Sequence, residues 1–473
     1  MARVSKWLLR QWPTVVAMTV FLSSTCSLAS ADPSSRKAPT PAVLHPISSE
    51  FPSADSVVLG QTRVDGIPMV STPASVPAPS IVAQSAVVMD MTTGTVVYAK
   101  NPQVPHYPAS LTKIMTAILA LKYGHLSDML TTHVDATLVP PDKLYLVPGE
   151  KEPLRKLLYG LLLISANDAA VVIADHYGGS VAGFAKMMNQ EAKSLGAVHT
   201  HFVNPNGLPN PYHVTTAYDL ALISRHAMEN PIFRQIVRTK YYQWKGEAWS
   251  SDLMNINNML FTYPGDIGIK TGFTNAAHET LAVAATHGKE TFLAILMDAP
   301  LLGQINQDGT NLLNYAFANY KTVTIVQNGQ PEGYAPTKTG TRIPLKASES
   351  VVFTTALHEP TAHYSFLAKK KPITHSISAG VRIGTLDVLR NGQVVASVPL
   401  SAAASWRAPL PPSPKHDGDI VWLLLVIAFI GWMLGYNKRH QRTSRPWVEV
   451  DRTWASSAWR HRVEWRDEYS HRK

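Results

Sequence analysis

Cysteine is almost absent: the 473 residues contain one, Cys26. It falls inside an N-terminal stretch that reads as a cleaved export signal, so the mature chain would carry no thiol. A disulfide framework, a cysteine nucleophile and a cysteine metal site are thereby excluded. Metal finds little support among the histidines. His199 and His201 alternate in a strand-like run with no carboxylate close in sequence, a pattern more usual for surface histidines than for ligands. No cofactor is expected, and no internal repeat is present. An acidic balance is missing too, since the formal net charge is +10. Residues 437–473 hold ten Lys/Arg against five Asp/Glu, which places half of that excess in the C-terminal tail. Attraction to anionic inner-leaflet lipid accounts for such a tail, and nucleic acid is not an expected partner.

The two ends carry addressing signals. Arg3, Lys6 and Arg10 precede an apolar stretch at 15–22 and the small-residue site Ala29-Ser30-Ala31, the pattern of a signal peptide over 1–31. Residues 420–436 are uncharged over 17 positions, about 25 Å of helix at 1.5 Å per residue, near the short limit of a membrane span. Pro411, Pro412 and Pro414 precede it; Lys438, Arg439 and Arg442 follow. Basic residues on that side mark it as cytoplasmic. The expected protein crosses a bacterial cell membrane once, with everything between signal and helix outside.

Between the ends, residues 32–80 hold nine prolines and nine serines and read as a flexible spacer. From Ile81 two strands and a tight turn at Met91-Thr92-Thr93-Gly94 lead into helical patterns at 111–123, 154–163, 168–177 and 184–195. Strand patterns return at 267–270, 281–286 and 291–297, followed by a helix at 312–320. Strands at both sequence ends with helices between them imply an α/β (α+β) domain over 81–322 whose sheet is assembled from distant segments. Short β-like runs, including 323–326, 342–345, 351–355, 381–388 and 394–400, then give a small all-β domain over 323–405 with a hairpin signal at Asn391-Gly392. A linker at 406–419, the membrane helix at 420–436 and a basic tail at 437–473 complete the order.

Chemistry gathers at three places. In Pro108-Ala109-Ser110-Leu111-Thr112-Lys113 the serine and lysine stand one helical turn apart on one face. A serine hydroxyl is a poor nucleophile unless a neighbour takes its proton, and a lysine can do so only where burial and nearby charge lower its pKa. On these residues alone, a helix-capping serine beside a solvated lysine is an equal reading. Ser165-Ala166-Asn167 lies between two helical runs and offers a second hydroxyl and an amide. Lys270-Thr271-Gly272 follows a β-like run and precedes Phe273-Thr274, as an edge strand facing a cleft would. A second Ser-x-x-Lys, Ser34 to Lys37, lies in the spacer, and a second Lys-Thr-Gly, at 338–340, lies in the β domain.

Ser-x-x-Lys, Ser-x-Asn and Lys-Thr-Gly in this order resemble the three motifs of penicillin-binding proteins and serine β-lactamases. Their surroundings, including Thr200 to Leu208 and His213 to Ala221, are similar to the D-alanyl-D-alanine carboxypeptidases, the low-molecular-weight penicillin-binding proteins of cell-wall metabolism. The resemblance implies a β-lactamase/transpeptidase-like catalytic domain with an antiparallel sheet flanked by helices. It implies peptidoglycan stem peptides as substrates and β-lactam antibiotics as inhibitors. By motif, Ser110 is the acylated nucleophile, Lys113 its general base, and Ser165 the relay of a proton to the departing amine. Asn167 holds the substrate backbone and orients the lysine. Lys270 and Thr271 bind the terminal carboxylate, Gly272 permits close approach, and the N–H groups of Ser110 and Phe273 hold the oxyanion.

Three features depart from the pattern. No arginine stands in Leu301-Leu302-Gly303-Gln304, where the family commonly has one. His278 takes the place of a usual glycine. The C-terminal segment spans rather than lies on the membrane. A β-lactamase or transpeptidase of the same fold is the alternative enzyme, although the first glutamate after Asn167 is Glu191, in a helical run. A catalytically silent, membrane-anchored wall-binding protein is the alternative outside enzymes.

Overall fold

The computed structural model describes residues 62–64, 66–70, 76–300, 303–357, 363–410 and 418–440. The expected signal peptide, most of the spacer and the tail beyond 440 lie outside them. The described chain divides into two units, 1–325 with 351–363, and 326–350 with the rest.

The first unit is built on a seven-stranded sheet. Its strands are β1 (Thr62–Val64), β2 (Ile67–Met69), β3 (Ser85–Asp90), β4 (Val96–Lys100), β5 (Asp266–Thr274), β6 (His278–His287) and β7 (Glu290–Ala299). Their spatial order is β1-β2-β4-β3-β7-β6-β5, antiparallel except where β2 meets β4. Strand β5, with the Lys-Thr-Gly triplet, is therefore an edge. Side chains alternate between the two faces of a strand, and the sheet is covered on both. Val87, Met89, Ala282, Leu293 and Ile295 enter a core shared with the helices described next. Val88, Leu281, Val283, Phe292 and Leu296 enter another with a later helix, Ile305–Asn319. Two covered faces explain why β7 reads as a nearly continuous apolar run rather than an alternating one.

Helix α1 (Thr112–Tyr123) runs through the middle of the first core, and residues Thr112 to Ala120 are all buried. Around it stand α2 (Leu154–Leu163), α3 (Asn167–Gly178), α4 (Val181–Ser194) and α5 (Ala217–Glu229). A central helix must be apolar on every side, which the sequence Ile114-Met115-Thr116-Ala117-Ile118-Leu119-Ala120 supplies.

The structure corrects the sequence reading in two places. The spacer does not extend to residue 80, because β1 and β2 lie within it, Ile67 is buried in the first core and Met69 pairs with Val96. Proline-rich composition hides so short an apolar segment. The run Val351–Ala356 pairs with Tyr320–Val326 as a two-stranded sheet separate from the five-stranded sheet of the other β-like runs. A strand pattern specifies alternation but not the sheet that receives it.

The second unit holds a five-stranded antiparallel sheet in the order Pro331–Pro336, Arg342–Ala347, Gln393–Ala402, Arg382–Arg390, Tyr364–Lys370. Leu345, Leu386, Val388, Ala396, Val398 and Leu400 are among its buried side chains. Asn391 and Gly392 turn the hairpin with φ of 51° and 81°, the left-handed pair that matches strand twist. A helix at Gly418–His440 follows, and 21 of its residues are long and apolar enough to cross a membrane.

Candidate active site

Ser110 sits in a single 3-10 turn, Ala109–Leu111, that runs straight into α1. No side chain caps either helix start, so the capping reading of Ser110 finds no support. Ala109 is held at φ 48°, outside the range comfortable for alanine. Two glycines close on this turn. A Cβ on Gly207 would lie 1.8 Å from the Ala109 carbonyl oxygen, and one on Gly272 would lie 2.8 Å from the Ser110 nitrogen. Strand β5 and the 204–208 loop thus pinch the start of α1 from two sides.

Lys113 is wholly buried. Its Nζ donates to Ser110 Oγ at 2.8 Å, to Asn167 Oδ1 at 2.8 Å and to the Asn206 carbonyl at 2.6 Å. Three acceptors match the three hydrogens of an ammonium. Even so, burial pushes the lysine well below its ordinary pKa, with the Lys270 cation adding to the shift and Asp142 and Asp168 opposing it. Removing a charged amine from water costs more than three neutral acceptors return. The amine is thereby suited to lose its proton and then take one from the hydroxyl beside it.

Asn167 opens α3, and its amide orientation is fixed. Nδ2 donates to the carbonyls of Pro140 at 3.0 Å and Pro141 at 3.1 Å, which leaves Oδ1 to face Lys113. Nδ2 thus meets two carbonyls of the 140–141 segment while Oδ1 meets the lysine. Ser165 lies two residues earlier, buried, at φ 65°. Among the described residues its hydroxyl is hydrogen-bonded to neither Ser110 nor Lys113.

Lys270 is the second buried cation of the site, with Nζ donating to the Thr271 carbonyl at 2.8 Å. Burial pushes it down to about 7, against the pull of Asp142. Gly272 pairs with Thr280 of β6, whose hydroxyl donates to the Pro108 carbonyl at 3.2 Å. Phe273 is half exposed, at the open end of this edge. The structure therefore brings Ser110, Lys113, Asn167 and Gly272 into direct contact, with Ser165, Lys270, Thr271 and Phe273 on the two segments that bound them. Leu301 and Leu302, in the stretch lacking arginine, lie outside the described residues. His278 takes a φ of 53°, which accounts for glycine being usual there.

Several supporting groups carry no sequence signature. Asn206 acts through its backbone carbonyl, which any residue possesses. His213 accepts the Val203 N–H at Nδ1 (3.0 Å), so its proton is on Nε2 and points at Thr112 Oγ1, 2.8 Å away. Thr112 in turn donates to the Ala109 carbonyl at 2.8 Å. Burial lowers His213 to about 4, so it stays neutral at pH 7. Asp168 accepts the N–H groups of Leu144, Leu146 and Ala169 and fastens the 140–146 loop to α3.

A serine hydroxyl against a buried, oriented amine, beside an edge strand, defines a serine acyl-transfer site. Residues 72–301 match the family described as D-alanyl-D-alanine carboxypeptidase, and residues 320–406 match the C-terminal domain of penicillin-binding protein 5. D-alanyl-D-alanine carboxypeptidase DacF of Bacillus subtilis is 33% identical over 330 residues, covering 68% of this chain and 85% of that protein. DacD of Escherichia coli is 30% identical, covering 69% and 88%. The crystal structure of penicillin-binding protein 5 from Haemophilus influenzae is similar with a TM-score of 0.60 at 26% identity, over 71% of this chain and all of that one. The chain belongs to the D-alanyl-D-alanine carboxypeptidase family and is a serine peptidase.

Proposed function

We propose that this enzyme removes the terminal D-alanine from peptidoglycan stem pentapeptides through an acyl-enzyme on Ser110, and that β-lactams acylate the same hydroxyl. The observation that carries the proposal is the 2.8 Å contact between Ser110 Oγ and the Nζ of a fully buried Lys113. Neutral Lys113 takes the hydroxyl proton as Oγ attacks the carbonyl of the penultimate residue. The oxyanion rests on the N–H groups of Ser110 and Phe273, stabilisation of roughly 3 kcal/mol per donor. Ser165, next to Asn167, passes a proton to the departing amine. Lys270 and Thr271 hold the terminal carboxylate, whose charge favours the protonated form of Lys270 on binding. Asn167 keeps Lys113 in reach. Water then hydrolyses the ester by the same route in reverse order.

The β-lactamase alternative is weaker. Glu191 is bonded to Lys122 at 2.5 Å on the α1–α4 side, away from Ser110, and supplies no carboxylate for a deacylating water. An intact hydrogen-bonded Ser110–Lys113–Asn167 chain weighs against a silent wall-binding protein. The helix at 418–440 anchors the chain, with the catalytic unit outside the membrane and the C-terminus inside. Release of D-alanine from a stem pentapeptide, measured beside penicillin hydrolysis, tests the assignment. The expected result is D-alanine release blocked by penicillin, with slow penicillin turnover; fast penicillin turnover without D-alanine release would reverse it.

A further inference from the structure

A second group of polar side chains lies at the ends of β6 and β7. His278 begins β6 directly opposite Thr274, two places beyond the Gly272–Thr280 pair that touches the nucleophile turn. Its Nδ1 lies 2.5 Å from Asp298 Oδ1. The other oxygen of Asp298 lies 3.3 Å from Nδ1 of His106, whose Nε2 meets Ser85 Oγ at 2.8 Å. His106 is four residues before Ser110. One carboxylate thus ties together the ends of β6 and β7 and the segment that leads into the nucleophile.

Both His278 (φ 53°) and Asp298 (φ 56°) hold left-handed backbone without being glycine. Such strain persists only where the surroundings impose it, and it is commonest where a side chain is being aimed. The carboxylate takes the Nδ1–H of His278 and so directs Nε2 away from Asp298. That ring is about half exposed, at 47%. The position follows from the direction of the substrate. With the terminal carboxylate at Lys270–Thr271 and the scissile carbonyl at Phe273, a peptide extended along the β5 edge carries its preceding residues past Thr274. At about 3.3 Å per residue, the residue just before the D-alanine pair comes level with Thr274, whose cross-strand neighbour on β6 is His278.

We infer that His278, aimed by Asp298, is a specificity-determining residue that hydrogen-bonds through Nε2 to the stem residue preceding the D-Ala-D-Ala pair. The inference rests on the carboxypeptidase reading. His106 is a positioning residue for Asp298.

The test compares two substrates, a stem pentapeptide and N-acetyl-D-Ala-D-Ala, on the full chain carrying His278→Gly or Asp298→Asn. Glycine accepts the left-handed backbone at 278, so the hairpin keeps its shape. The ratio of kcat/KM for the long substrate over the short one is expected to fall about tenfold in His278→Gly, mostly in KM, and several-fold in Asp298→Asn. An unchanged ratio overturns the inference, whether both rates hold or both drop together. Absence of D-alanine release by the parent from either substrate would instead overturn the carboxypeptidase reading.

Discussion

At the scale of single residues, the proposed reaction needs two buried amines in opposite protonation states. Lys113 has to be neutral to accept the Ser110 proton, while Lys270 has to be charged to receive a carboxylate. Burial pushes both amines below their ordinary pKa, Lys270 down to about 7, so rising pH favours the neutral amine at Lys113 and discharges Lys270 above about pH 7. The expected kcat/KM falls above about pH 7, through KM rather than kcat, since carboxylate binding serves ground and transition states alike. A pH–rate series checks this, and a rate that still climbs at pH 9 would contradict it. Stability carries the same signature. The folded pKa of Lys270 lies below the unfolded value of about 10.4, so the folded chain binds fewer protons between those limits. Denaturation midpoints of the parent should therefore rise with pH over that window relative to Lys270→Met, and that contribution is lost below about pH 7. The meeting of Ser110, Lys113 and Gly272 was legible because the side-chain chemistry of the three motifs forms a spaced pattern. The Asn206 carbonyl and the tautomer of His213 were not, because backbone groups and proton positions leave no mark on residue identity.

At the scale of elements, the site exists because a helix start, a loop and an edge strand meet within van der Waals contact. Gly207 is at φ 87°, and any Cβ there strikes the Ala109 carbonyl. Gly207→Ala should lower stability by about 2–4 kcal/mol, the combined cost of overpacking and strained backbone, and reduce β-lactam acylation with it. Thermal unfolding and acylation rates of the variant check this; a parent-like acylation rate would show that the loop does not position Ser110. Helix and strand patterns gave most of these elements, since apolar runs bounded by turn residues mark β3 to β7 and a run of helix formers marks α1. What the periods left open was partnership. Ile67 and Met69 lie in a proline-rich segment yet add to the sheet, and Val351–Ala356 joins Tyr320–Val326 rather than the five-stranded sheet.

At the scale of the whole molecule, the catalytic unit contains every residue of the proposed chemistry, and the long apolar helix at 418–440 contains none. Anchoring and catalysis should therefore separate. A chain ended after Leu410 is expected to leave the membrane fraction for the soluble one while releasing D-alanine at a rate per molecule within about twofold of the parent. Fractionation followed by immunoblotting and a D-alanine assay measures both. Retention in the membrane fraction would mean that another segment holds the protein there.

The central claim is that a buried, uncharged Lys113 makes Ser110 a nucleophile. Intact-protein mass spectrometry after brief exposure to penicillin, with peptide mapping, tests it most directly. A single adduct on the peptide containing Ser110, abolished in Ser110→Ala and slowed at least about 100-fold in Lys113→Ala, is the predicted result. An adduct on another residue, or one that forms at the parental rate without Lys113, would contradict it.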